Sequence, residues 1–289
     1  MTFALDPFLY LALAAGLIGG RFLSLPARWL NAATVVTVLV LILLLGLSLG
    51  GTSVDQLLSA VPVALLALAV MLGVTMVVAA VFRPARSSVP IGPTSGASRP
   101  WLGLVFLADV IVGFLLGHVA RIPTEVGLRF SLYALLVLVG WGLVLSAAGL
   151  RRLWVPLVAA ISGAIAGGLL LGLFFTSFGV GFAATFGFGF YTLTGALVEA
   201  RDGAALGFLA FLINFLRENL TMVLSPWIGP RVRGEGLTAL GGATSMDTTL
   251  FFITRYGDPD AASLALTSGL ILTVVATVAL PLLLALPGR

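Results

Sequence analysis

Of the 289 residues, 60% are hydrophobic and only 9% are charged, with a mean hydropathy of +1.18. A soluble domain carries about 25% charged residues, so this chain cannot cover itself with a water-compatible surface and reads as a polytopic membrane protein. The net charge of +4 does not make it a nucleic-acid binder: all fifteen cations are arginines, most of them in short loops between apolar runs. That is a pattern of membrane topology. With no cysteine, disulfides, thiol catalysis and Cys-ligated metals are excluded, and the single histidine, His118, does not make a metal site. No cofactor is called for. Long apolar runs without short alternating segments point to helices rather than a closed barrel.

The first apolar run, 7–20, is short for a span, with Pro7 suited to a first helical turn and Asp6 to its cap. It lacks a basic leader and reads as a span, not a cleaved signal. A second span covers 30–50 and ends in the uncharged turn 50–53. A third runs over 56–82, and Pro62 near its start is tolerable in lipid. The segment 83–100, rich in Pro, Ser and Gly, is a cytoplasmic loop between the N-terminal helices (1–82) and the remainder (101–289). The whole chain is expected to form one transmembrane transporter domain. The fourth span, 101–119, carries Asp109 mid-way. The fifth ends near Gly149, and the sixth runs over 154–175 with small residues at Gly163, Gly167 and Gly168. A normal-length span at 203–227 bears Asn214, Arg217, Glu218 and Asn219, and the last span covers 261–287.

Two Gly-rich segments, 177–199 and 234–256, do not read as ordinary spans. If both are broken or re-entrant, about eight transmembrane helices remain. Arg21, Arg28, Arg83, Arg86, Arg99, Arg151, Arg152, Arg231 and Arg233 then share one side, and Arg121, Arg129, Arg201 and Arg289 the other. The positive-inside rule makes the first side cytoplasmic and puts both termini outside.

Asp109, Arg217, Glu218 and Asp247 are the ionisable residues expected deep in the membrane. Each charge at a helix centre costs roughly 2.5–3.5 kcal/mol on the insertion scale. One arginine cannot compensate three carboxylates. At least one of the three is therefore protonated, wet, or paired with a transported cation, which makes Asp247, Asp109 and Glu218 candidates for ion coupling. Arg217 and Glu218 are adjacent and point about 100° apart, so they do not pair with each other. Arg217 reads as a structural charge partner, with Asp247 as one place for it to aim. Asn214 and Glu218, four apart, share a face that can offer an amide and a carboxylate to an ammonium group. Unwound membrane segments expose peptide groups and helix ends to a midplane cavity. N–H groups near 187–189 or 241–242 would suit an α-carboxylate, and Tyr191, Thr192, Thr194, Thr244 and Ser245 join the substrate-binding set. For each glycine, close helix contact is the competing reading.

The C-terminal third, from about Gly187 to Leu283, resembles the lysine exporter LysO family. The residues that carry the likeness are Gly189-Phe190-Tyr191-Thr192-Leu193-Thr194-Gly195, the Arg217-Glu218 pair, and Gly242-Ala243-Thr244-Ser245-Met246-Asp247. The last stretch is identical to the family motif. Thr192 and Thr194 stand in place of serines, and Ser268 in place of a histidine. The resemblance implies inner-membrane export of L-lysine and related cationic amino acids, with intramembrane acidic residues required. Proton antiport is the expected coupling, with Na⁺ as an alternative ion; lysine and the lipid bilayer are the expected partners, and a homo-oligomer is left open. Two other classes compete: an intramembrane hydrolase on Ser245 and His118, lacking any G-x-S-x-G elbow, and a passive channel or structural membrane subunit.

Overall fold

The computed structural model describes residues 7–23, 26–50, 53–82, 101–120, 123–141, 150–258 and 260–286. Asp6, the turn at 51–52, the 83–100 loop with Arg83, Arg86 and Arg99, Arg121, the end of the fifth span toward Gly149, and Gly288 and Arg289 lie outside them. Every regular element described is helical: α1 (Pro7–Phe22), α2 (Ala27–Leu49), α3 (Val54–Val81), α4 (Trp101–Val119), α5 (Glu125–Trp141), α6 (Trp154–Phe174), α7 (Phe178–Thr185), α8 (Tyr191–Asp202), α9 (Ala204–Gly241), a 3-10 turn (Gly242–Met246), α10 (Leu250–Tyr256) and α11 (Ala261–Leu284). Five of the helices are long and apolar enough to cross a membrane, and three further apolar helices are shorter. The chain is thus an all-α polytopic membrane protein.

The single domain expected over 1–289 resolves into two compact units that interleave along the chain. One comprises Phe3–Ser53 and Arg99–Leu145; the other holds Val54–Ser98 and Ser146–Arg289 together with the first two residues. The division leaves α3 with the C-terminal helices because α3 packs along α6 and α9.

In the four-helix unit, glycines set the pairing. Gly46 of α2 and Gly50 at its C-terminal cap face Gly113 and Gly117 of α4 in register, so the two helices run parallel. A Cβ on Gly46 would fall 2.5 Å from the Val110 carbonyl oxygen, and one on Gly50 2.5 Å from the Gly117 carbonyl carbon. Such contact is open only to small residues four apart. Gly16 and Gly20 of α1 meet Val137 and Trp141 of α5 in the same parallel sense, and Trp141 Nε1 donates to the Leu23 carbonyl at 3.1 Å.

In the larger unit α3 and α6 run antiparallel: Thr75 lies by Gly163, Met71 by Gly167, and the rings of Phe82 and Trp154 meet at 5.3 Å. Helix α7 folds back along α6, with Phe182 on Gly168 and Phe178 on Gly172. Helix α9 is two helices. Arg233 has φ 60 and ψ −169, outside the helical region, just after Pro226 and Pro230 have each removed a helical hydrogen bond. The long leg, 204–232, spans roughly 43 Å at 1.5 Å per residue; the short leg is 234–241.

Both Gly-rich segments are hairpins. In the first, residues 177–202, the α7 end and the α8 end meet the same neighbour: Gly179 lies against Leu283 and Leu286, and Arg201 donates to the Leu286 carbonyl at 3.3 Å. In the second, residues 234–257, Gly234 touches Gly257, and Gly234 N donates to Asp258 Oδ2 at 3.2 Å. Each segment therefore starts and finishes at one end of its unit. The long leg of α9 leads from the base of the first hairpin to the base of the second, so the hairpins enter from opposite ends. Arg152, Arg231 and Arg233 flank the base of the second, and Arg201 that of the first.

Candidate functional site

The first hairpin is built by small residues and closed by one amide. Ser177 caps α7 by accepting from Val180 N at 3.3 Å, and the Thr185 hydroxyl donates to the Ala164 carbonyl of α6 at 2.8 Å. Helix then fails: Phe188 takes φ 49 and Gly189 φ 102, a region that glycine enters without strain and phenylalanine does not. Asn214, reaching from α9, spans the break. Its Oδ1 accepts from Gly189 N at 2.9 Å, and its Nδ2 donates to the Ala184 carbonyl at 2.7 Å and the Ala210 carbonyl at 2.9 Å. It satisfies peptide groups on both sides of the tip, which lipid would leave unpaired.

One turn along α9, Arg217 does the corresponding work for the second hairpin. The short leg of α9 stops at Gly241 and leaves carbonyls without helical partners. Arg217 Nε donates to the Leu240 carbonyl at 3.0 Å, Nη2 to the Ala239 carbonyl at 2.9 Å, and Nη1 to Met71 Sδ at 3.7 Å. A cation there also opposes the negative end of the helix dipole. Its guanidinium lies 5.6 Å from the Phe188 ring centroid. Arg217 makes no ion pair among the described residues; the pairing with Asp247 that spacing allowed is not formed, because the carbonyl end of the short leg takes its donors.

The two tips meet. Ala243 N donates to the Phe188 carbonyl at 2.8 Å. Gly242 has φ 67 and sits so close to Phe188 that a Cβ would fall 2.6 Å from that same oxygen. On the other side, a Cβ on Gly189 would lie 2.8 Å from Thr244 Cγ2.

Beside this junction lie the acids. Asp247 follows the 3-10 turn, and its Oδ1 accepts from Thr248 N at 2.6 Å and from the Thr248 hydroxyl at 3.3 Å. Glu218, only 1% exposed, interacts with the Thr248 side chain and electrostatically with Asp247. Its Oε1 has no hydrogen-bond partner. Tyr191, the first residue of α8, feels both carboxylates and packs edge-on against Phe211 (5.3 Å) and Phe215 (5.6 Å) of α9. Tyr191, Glu218, Asp247 and Thr248 thus form one group contributed by three elements.

The remaining sequence candidates divide sharply. Thr194 donates to the Phe190 carbonyl at 2.6 Å, Thr244 to Gly241 at 2.9 Å, and Ser245 to the carbonyls of Gly242 and Ala265, each at 2.8 Å. These hydroxyls, like Asn214, are all bonded to backbone carbonyls at or beside the breaks. Thr192 stands half-buried in the first turn of α8. Asp109 belongs to the four-helix unit, half-buried on α4 with Oδ2 unpartnered; His118 is in that unit too, so Ser245 and His118 belong to different units. Sequence reasoning missed Phe188, whose carbonyl joins the tips and whose ring lies by Arg217. Its only local sign is its place between Gly187 and Gly189. It also missed Met71 of α3, which no motif marks.

Comparison with known proteins converges on one family. Residues 107–284 match the family model described as lysine exporter LysO, a stretch that reaches well upstream of the motif-bearing third. The chain is 32% identical over 182 residues to the lysine exporter LysO of Escherichia coli, covering 57% of this chain and 58% of that protein. It is 27% identical over 177 residues to a putative lysine exporter of Haemophilus influenzae, covering 57% of this chain and 89% of the relative. The match thus spans a little over half of the first relative's length. No solved structure matches.

Proposed function

Because the chain belongs to the lysine exporter LysO family, we propose that it is a secondary active exporter of L-lysine and related cationic amino acids, working by proton antiport. The observation that carries the reading is Glu218: a carboxylate 1% exposed, one oxygen unpartnered, beside Asp247, with the nearby arginine committed to peptide carbonyls. Two acids so placed are expensive unless they hold protons or cations. The relatives' printed names, lysine exporter and putative lysine exporter, supply the cargo.

In this scheme Asp247 and Glu218 accept the substrate's ammonium from one side while ionised, and release it on the other as protons replace it. Tyr191 lines the site with its ring, and Thr192 and Thr248 add hydroxyls. Asn214, Thr194, Thr244 and Ser245 act by holding the hairpin tips in shape. Asp109 is a second, separate acid for coupling, outside this cluster. Coupling is needed because an inside-negative potential opposes each exported charge by about 2.3 kcal/mol per 100 mV. The membrane is the cell's inner membrane, with the base of the second hairpin cytoplasmic and both termini outside, as the arginines around that base favour.

The test is counterflow of labelled lysine in proteoliposomes under an imposed pH gradient, with Na⁺ present and absent. Lysine-dependent proton flux that ignores Na⁺ is the expected result. Lysine flux that follows a Na⁺ gradient and leaves pH unchanged overturns the proton coupling; no lysine flux overturns the cargo.

A further inference from the structure

Resting on the reading of this site as the lysine site, we infer that it reads amines and not the α-carboxylate, so that linear diamines are a second class of cargo. The inference comes from counting which polar groups at the junction are still free. Five of the N–H groups that a carboxylate could use at the tips are already donated. Gly189 N goes to Asn214 Oδ1 (2.9 Å), Phe190 N to the Gly187 carbonyl (2.8 Å), Tyr191 N to Gly189 (2.9 Å), Ala243 N to Phe188 (2.8 Å) and Gly242 N to Thr238.

The cation nearest in sequence is used as well, since Arg217 gives its Nε, Nη1 and Nη2 to Leu240, Met71 and Ala239. Acceptors are the reverse case. Glu218 Oε1 is buried and unpartnered, and Asp247 is bonded through one oxygen to its own neighbour Thr248. Two acids interacting electrostatically, with no cation paired to either among the described residues, complement two ammonium groups more fully than they complement a zwitterion. A linear diamine brings two positive ends and no carboxylate to desolvate. Tyr191 interacts electrostatically with the same pair of acids, and its ring adds a surface that favours cations over anions.

The chemistry gives a graded expectation. A site pays heavily when a group it has paired is missing, up to about 10⁴-fold, and little when an unread group is missing. With the full chain in proteoliposomes, labelled lysine counterflow is measured against 1,5-diaminopentane, lysinamide, 6-aminohexanoate and norleucine. The diamine and lysinamide, which lack the carboxylate, compete within about tenfold of lysine; 6-aminohexanoate and norleucine, each short of one amine, are weaker by about 100-fold or more. Diaminopentane loaded inside also drives labelled lysine uptake. Competition by 6-aminohexanoate in place of the diamine overturns the inference, and so does a diamine that inhibits without supporting counterflow. If lysine itself shows no counterflow, the lysine reading falls alone. Labelled diaminopentane then decides this one, its exchange upholding it and its failure to exchange ending it.

Discussion

The two hairpins solve the same problem with different chemistry. Each brings broken helix to a shared junction from its own end of the long leg of α9, and each is held by one side chain of that leg. The first is held by Asn214, a neutral amide that gives and takes across the break. The second is held by Arg217, a cation that only gives, to the carbonyl end of the short leg. The first tip has its hydroxyl and amide spent and carries no acid. The second carries Asp247 on the chain just past its 3-10 turn. One hairpin is chiefly a shaped wall, the other brings the charge. The comparison teaches that a buried arginine near acids is not by default their counter-ion: here the dipole and open carbonyls of a stopped helix claim it, and neither acid has an ion-paired cation among the described residues.

Five substitutions probe that division. Asp247→Asn is expected to abolish lysine counterflow while the protein still inserts and stays monodisperse on size exclusion; full activity in proteoliposomes would remove Asp247 from the mechanism. Arg217→Lys keeps the charge but loses the two-point bond to the carbonyls. Each buried carbonyl left without its donor costs about 1–3 kcal/mol, so a clear drop in thermal stability should accompany lost export. Were Arg217 instead a simple counter-ion, the lysine variant would behave as wild type. Asn214→Asp retains an acceptor for Gly189 N and loses the donor to Ala184 and Ala210, at about 1–3 kcal/mol. It should expose the first tip to thiol labelling of a cysteine placed at Ala184, and leave a cysteine at Ala239 as protected as before. The smallest effect is a difference: Gly242→Ala and Gly189→Ala both meet the strain of positive φ, about 1–3 kcal/mol. The new methyl at Gly242 also meets the Phe188 carbonyl and the guanidinium, whereas at Gly189 it meets a threonine methyl. Gly242→Ala should therefore melt lower.

Much of the fold was legible because lipid makes local sequence decisive. Apolar length located the spans, and the density of glycine, threonine and serine located both breaks. Asp247 stood out because a carboxylate in such a run has no packing role. What could not be read was the choice of partner. The sequence spacing put Asn214 and Glu218 on one face but not that the amide would close a hairpin tip 25 residues upstream. It offered Asp247 to Arg217, since charge pairs are a local guess, while the Leu240 and Ala239 carbonyls become available only when the helix stops at Gly241. The gathering of α3 with α6 and α9, across the whole four-helix unit's second half, is likewise fixed by surfaces far apart in the chain. The parallel pairs α2–α4 and α1–α5 rest on glycines at a spacing that favours contact without naming the helix contacted.

Asn214 and Arg217 lie after the first hairpin in the chain and before the second. This gives the two an unequal start in life on the ribosome. When the first hairpin has been made, its clamp has yet to be synthesised, and its tip must wait through 25 further residues with peptide groups unpaired. The second hairpin is made with its clamp already in place, 23 residues behind. Until residue 214 has followed it out of the ribosome, the first hairpin is without the side chain that closes its break. A chain that has emerged past 217 already has the means to close the first hairpin and to receive the second.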